Sequence, residues 1–161
     1  MDRFDAIDRR ILGILREHGR ASHAYVAKQV GLSAPAVGER IRKLEGAGVI
    51  EGYRAVLTPD ALGLNICAFV ALAPKPGTQV ARLVERLLEL SEIEELHSVA
   101  GTYSYFAKVR VRDPERLDAF LDDLMMMEGV ERTETTMVLR TSAERAVPLP
   151  WDGNDAVEVP A

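Results

Sequence analysis

His23-Ala-Tyr-Val-Ala-Lys-Gln-Val30, then Gly31-Leu32, then Ser33-Ala-Pro-Ala-Val-Gly-Glu-Arg-Ile-Arg-Lys43 is the stretch on which the reading of this chain turns. Ser22 and Ser33 each precede a run with helical spacing, as N-caps do. Val26, Ala27 and Val30 share one face of the first run. Val37, Ile41 and Leu44 share one face of the second. Gly31 sits between them, where the chain must turn sharply and a positive φ is often needed. Pro35 falls in the first turn of the second helix, where its missing N–H costs nothing. Two short helices joined by a glycine turn, the second ending in cations, form a helix-turn-helix. In that motif the second helix enters the DNA major groove.

Working outward, Ile7, Ile11, Leu12 and Leu15 predict a preceding helix capped by Asp5 and stopped at Gly19. Gly46 and Gly48 end the third helix. Val49 to Leu57 alternates around Gly52 and predicts a short hairpin or wing. The residues expected to meet DNA are Ser33, Ala34, Pro35, Ala36, Glu39, Arg40, Arg42 and Lys43. Arg and Lys reach phosphates or guanine edges, while the small residues permit close approach. Ordinary three-helix packing with a solvated basic face is the alternative. Charge is unevenly spread: residues 1–50 carry nine Lys/Arg against six Asp/Glu, and residues 51–161 carry eleven against nineteen. The formal net charge of -5 therefore hides a cationic first module.

Beyond Thr58-Pro-Asp-Ala-Leu-Gly63, read as a hinge, the periodicity changes. Residues 65–73 form a compact apolar strand, and Val80, Leu83, Val84, Leu87 and Leu88 an amphipathic helix. Ile93–Val99 and Tyr105–Val111 are strands. Asp113-Pro114 opens a helix with Leu117, Phe120, Leu121 and Leu124 on one face, and Gly129 ends it. Val130–Leu139 is a last strand. The order β-α-β-β-α-β is the ferredoxin-like split βαβ arrangement, with both helices on one face of an antiparallel sheet. The first strand is apolar on both sides, so the other face needs a cover, and a second copy of the sheet is the simplest one. The fold class is α+β.

His97-Ser-Val-Ala-Gly-Thr-Tyr-Ser-Tyr105 spans the glycine turn between the second and third strands. Small hydroxyls and free backbone N–H groups there can hold a carboxylate. The candidate effector-binding residues are His97, Val99, Gly101, Thr102, Tyr103, Ser104 and Tyr105, with Thr133 and Thr135, joined by Thr136, on the last strand. A plain hairpin loop is the alternative. No Cys/His cluster has metal spacing, so no metal or cofactor is expected. Cys67, the single cysteine, reads as a small core residue. Met125-Met126-Met127 reads as gap-filling core or an oligomer contact. No nucleophile with a base, paired carboxylates or phosphate-binding glycine motif is present, so the chain reads as no enzyme. It shows neither a signal peptide nor a membrane-length apolar run, which predicts a cytoplasmic protein.

The chain from about residue 5 to 142 resembles the Lrp/AsnC, or feast/famine, family of transcription regulators. The resemblance is carried by Leu12-Gly-Ile-Leu to Gly19-Arg20, by Gly31-Leu-Ser-x-x-x-Val-x-x-Arg-Ile-x-x-Leu-Glu45, and by Gly48-Val-Ile-x-Gly-Tyr53. Ala100-Gly-Thr-Tyr-Ser-Tyr105 and Gly129-Val130 with Thr133 and Thr135 complete it. It implies a winged helix-turn-helix over residues 1–52 and a strand linker over 53–64. An effector-binding and oligomerisation domain over 65–142 follows. Residues 143–161 go beyond the family pattern and, with their prolines and acids, read as a mobile tail. The resemblance also implies sheet-paired dimers that often assemble further into octamers or larger discs, a small effector, usually an amino acid, at the glycine turn, and double-stranded DNA half-sites as partner. The chain departs from the family at that turn. Members often carry Gly-Asp-x-Asp-Tyr, and here Thr102 and Ser104 replace both acids. A hydroxyl bonds an ammonium group about half as strongly as a carboxylate does. The expected function is a sequence-specific, effector-responsive regulator. The alternatives are a ligand-independent architectural DNA-binding protein and a small-molecule-binding domain with an enzymatic role.

Overall fold

The computed structural model describes residues 4–151. The chain forms two compact units: one holds the residues up to Val56 and those from Ala143 on, the other Leu57–Ser142.

The first unit contains α1 (Ala6–Glu17), α2 (His23–Val30) and α3 (Ala34–Gly46). Each starts at a capping side chain. Asp5 accepts from the Asp8 N–H at 2.8 Å, Ser22 from the Tyr25 N–H at 3.2 Å and Ser33 from the Ala36 N–H at 3.3 Å. Such caps satisfy N–H groups that have no partner inside the helix. Gly31 closes α2 at φ 71°, a left-handed conformation that a side chain would oppose. Ile11, Leu12, Leu15, Val26, Ala27, Val37, Ile41 and Leu44 form the core. These are the apolar positions that the helical spacing picks out.

The predicted wing does not form. No strand is present at residues 49–57 among the described residues. Val49 and Ile50 donate back to the Leu44 carbonyl at 2.9 and 3.3 Å, closing α3, and residues 51–58 are all exposed. A hairpin needs a second strand and a face to bury, and a two-stranded one alone is marginal in water. The predicted strand linker is also no strand here. Its Tyr53 hydroxyl donates to Glu45 on α3 at 3.0 Å. Asp60–Leu62 makes a 3-10 turn that ends at Gly63.

The second unit is a four-stranded antiparallel sheet in the order β2-β3-β1-β4. Its strands are β1 (Ile66–Pro74), β2 (Ile93–Ser98), β3 (Tyr105–Val111) and β4 (Val130–Met137). Helices α4 (Val80–Leu88) and α5 (Pro114–Met126) supply the crossovers. Register places Val70 opposite Ala107 and Thr135, and Leu72 opposite Tyr105 and Thr133. Residues directly opposite share a face. One face therefore carries Ala68, Val70, Leu72, Ala107 and Val109, which pack with Leu83, Leu87, Phe120 and Leu124 of the helices. The other face carries Phe69 and Phe106, which stay 42% and 41% exposed.

The last described residues depart from the expected mobile tail. Trp151 packs edge-on against Phe4, with ring centroids 5.9 Å apart. A large aromatic surface is poorly hydrated, and the helical core offers it a partly apolar seat. Residues 152–161 lie outside the described residues. No helix among the described residues is long and apolar enough to cross a membrane.

Candidate functional site

The exposed side of α3 presents Ser33, Pro35, Glu39, Arg42 and Lys43, with Ala34 and Ala36 half-buried between them. Lys43 pairs with Glu39 one turn earlier at 3.3 Å. Such exposed i,i+4 pairs are weak, about 0.3–0.5 kcal/mol, so a phosphate can displace Glu39 at little cost. Arg42 is exposed and makes no ion pair among the described residues.

Arg40 differs from its neighbours. Its Nη1 donates to Asp5 and to Asp8, each at 2.7 Å. The N-cap carboxylate of α1 and one from its first turn thus hold a guanidinium of α3. The arrangement ties α3 to the start of α1 and leaves Arg40 more tightly held than Arg42. Asp5 and Asp8 are contributions that the sequence reading missed, since it assigned Asp5 only the cap. The Asp8 N–H and then the Arg40 guanidinium hold the Asp5 carboxyl below the usual carboxylate range. A depressed carboxylate contributes stability that is present above its unfolded pKa and lost as pH falls through its folded one. The helical unit should therefore weaken below about pH 4. Asp5→Asn keeps the cap and loses the charge. Its stability deficit, measured by urea unfolding followed through Trp151, should be largest near neutral pH and shrink as the wild type is titrated down to pH 3. A deficit unchanged across that range would remove the ion pair from the account.

In the second unit the glycine turn is drawn onto β4. Ser104 N–H donates to the Leu72 carbonyl at 3.0 Å, and Val99 N–H to the Ser104 carbonyl at 2.9 Å. The Tyr103 hydroxyl donates to Glu134 at 2.7 Å. Arg132 lies over the Tyr103 ring, 4.8 Å from its centroid, and bonds the Thr102 carbonyl at 3.4 Å. The Glu134 carboxylate pushes the Tyr103 hydroxyl above the ordinary phenol range. Arg132 and Glu134 were not among the expected residues. No local pattern points to them, because they meet the turn from more than 25 residues away in the chain.

The expected effector residues divide between the two sheet faces. His97 pairs with Phe106 in register and lies 3.2 Å from Glu95, on the face without helices. Tyr105 is buried on the helix side. Thr133 and Thr135 share that side, and the Thr133 hydroxyl sits 3.6 Å from the Met125 sulfur of α5. Thr136 stands opposite Phe69 on the other face, so the three threonines do not act together. Gly101 and Thr102 are exposed, and Val99 and Ser104 half-buried, at the turn itself. Met126 points outward, 87% exposed.

Comparison with known proteins ties these two units together. The profile of the AsnC-type helix-turn-helix domain matches residues 4–45, and that of the Lrp/AsnC ligand binding domain matches residues 67–148. The chain belongs to the Lrp/AsnC family. It is 38% identical over 140 residues to the HTH-type transcriptional regulator FL11 of Pyrococcus abyssi, covering 87% of this chain and 92% of that one. It is 38% identical over 141 residues to the leucine-responsive regulatory protein of Salmonella typhimurium, covering 84% of each. The solved structure of Escherichia coli AsnC superposes with a TM-score of 0.83 at 30% identity, over 89% of this chain and 97% of the other. This Lrp/AsnC protein is thus a helix-turn-helix transcriptional regulator with a ligand-binding domain, and the relatives it matches are named as regulators.

Proposed function

We propose that this Lrp/AsnC protein is a sequence-specific regulator that reads DNA half-sites as a symmetric oligomer and responds to an amino acid. The observation that carries the DNA half of the reading is the exposed face of α3. There Ser33, Ala34, Pro35 and Ala36 leave the first turns low enough to approach base edges. Arg42 and Lys43 supply charge at the far end, Glu39 takes part as a displaceable partner of Lys43, and Arg40 positions the helix. Two such helices related by a dyad read half-sites roughly one helical turn apart, or a multiple of that. The uncovered sheet face with Phe69 and Phe106 is the surface on which copies pair.

The amino-acid half rests on the ligand-binding domain and on the likeness to a relative named for its response to leucine. An α-amino acid presents one cation and one anion. Thr102, Ser104 and the backbone at Gly101 supply hydrogen bonds, while Arg132 and Glu134 are the charged groups in contact with the turn through Tyr103. His97, Val99, Tyr105, Thr133 and Thr135 shape the surroundings. Binding at this turn regulates DNA reading only where one assembly binds the ligand better than another. The two missing loop acids favour a second reading, in which no ligand binds and the protein coats DNA.

A thermal-shift series with the common amino acids tests the proposal. Binding to the native state raises the melting temperature by mass action, and saturation at 100 times Kd corresponds to about 2.7 kcal/mol. A rise with one or a few amino acids is expected. A flat response to all of them, together with sequence-indifferent protection of DNA in footprinting, would replace the sensor by the architectural reading.

A further inference from the structure

We propose that residues 143–151 are a strap belonging to the DNA-reading unit, anchored by Trp151 and holding the start of α1, and through it α3, in place. The proposal rests on the fold of that unit and does not depend on which effector binds. The strap carries Pro148 and Pro150, which restrict the backbone and remove two N–H donors. The stiffness of the strap lowers the entropy lost on docking. Trp151 supplies the anchor. Its ring meets Phe4 edge-on at 5.9 Å, and the Arg9 guanidinium lies over it, 5.5 Å from the centroid. Leu149 is the second foothold, with its Cδ1 lying 4.0 Å from where a Cβ on Gly13 of α1 would stand.

What the anchor touches gives it a consequence. Phe4 packs against the helical core and immediately precedes Asp5. Asp5 caps α1 and holds Arg40 of α3 at 2.7 Å. Trp151, Phe4, Asp5 and Arg40 thus form one continuous chain of contacts from the C-terminal segment to the recognition helix. The polypeptide also leaves the first unit near Val56 and returns to it at Ala143. A displacement of the residues after β4 therefore reaches α1 along the chain to Trp151 and across its contacts with Phe4 and Arg9, besides the covalent route through residues 53–57.

Trp151 is the only tryptophan, so its emission reports the strap in the full-length protein without a label. Native protein should emit at shorter wavelength than urea-unfolded protein and resist acrylamide quenching. Phe4→Ala should move both readings toward the unfolded values while the α+β unit keeps its melting transition. Trp151→Ala should lower the melting temperature of the helical unit alone and weaken binding to a pool of random 40-base-pair duplexes about three- to tenfold. Native emission and quenching equal to those in urea would overturn the strap. So would unchanged melting and unchanged duplex affinity in Trp151→Ala. The emission measurement uses the wild-type chain and decides the matter even where a variant fails to fold. Wild-type protein that binds no duplex would overturn the regulator reading and leave the fluorescence result standing.

Discussion

Gly129→Val is expected to destabilise the α+β unit by about 3–5 kcal/mol, because it adds both backbone strain and overpacking at a buried turn. Gly129 joins α5 to β4 with φ at 98°, where a branched side chain is strained whatever room it has. There is no room either. A Cβ added to Gly129 would stand 2.8 Å from the Thr78 Cγ2. Thr78 cannot swing away freely, because its hydroxyl donates to the Gly129 carbonyl at 3.4 Å. The same carbonyl accepts the Lys75 N–H at 2.8 Å, so moving the turn breaks a backbone bond. Domains of this size have about 5–15 kcal/mol in hand, so the variant retains a fraction of its stability. Urea unfolding followed by far-UV circular dichroism measures the loss, and Trp151 emission follows the other unit separately. Gly129→Ala combined with Thr78→Ser separates the two causes. Removing Cγ2 should recover the steric part and leave the conformational part, about 1–3 kcal/mol. A Gly129→Val protein that unfolds with the wild type would show that the turn rearranges without cost.

Arg42→Glu with Lys43→Glu is expected to weaken DNA binding about 100-fold or more, and to flatten its salt dependence. Both side chains are exposed. Among the described residues, the only ion pair of either is that of Lys43 with Glu39, so their loss leaves the helical core intact. Reversed charge near a helix C-terminus costs about 0.3–1 kcal/mol, too little to unfold the unit. Fluorescence anisotropy on a duplex selected by the wild-type protein from a random pool reads the affinity. A parallel titration with Arg42→Gln and Lys43→Gln separates lost attraction from added repulsion. Arg40→Ala is the instructive contrast. It releases Asp5 and Asp8 to repel each other, so its effect on DNA should be accompanied by a lower melting temperature. Full affinity in the double charge reversal would move the recognition surface away from the end of α3.

The helix-turn-helix was legible because its signals are local. Ser22, Ser33 and Gly31 act within one turn of their own helix, and Val37, Ile41 and Leu44 declare a buried stripe by spacing alone. The βαββαβ order was equally plain, since each element carries its own period and its own breaker. The wing was misread because alternation at 49–57 says nothing of whether a partner strand lies beside it. The glycine turn was found by its residue types, yet the charged groups that meet it were not.

By itself the sequence determined the helices and strands of the two cores, their order, the family and the face of α3 that points outward, all of which follow from contacts a few residues apart or from patterns that repeat along a helix or strand. Only the tertiary structure decided that Arg40 is spent on Asp5, 35 residues away, that Tyr103 reaches Glu134 across 31 residues, and that Trp151 returns to Phe4. It also decided that Thr133 and Thr136 face opposite ways. A charged or aromatic side chain takes whichever partner the packed elements bring within a few ångströms. That choice depends on register and crossing between distant segments, which no single segment encodes.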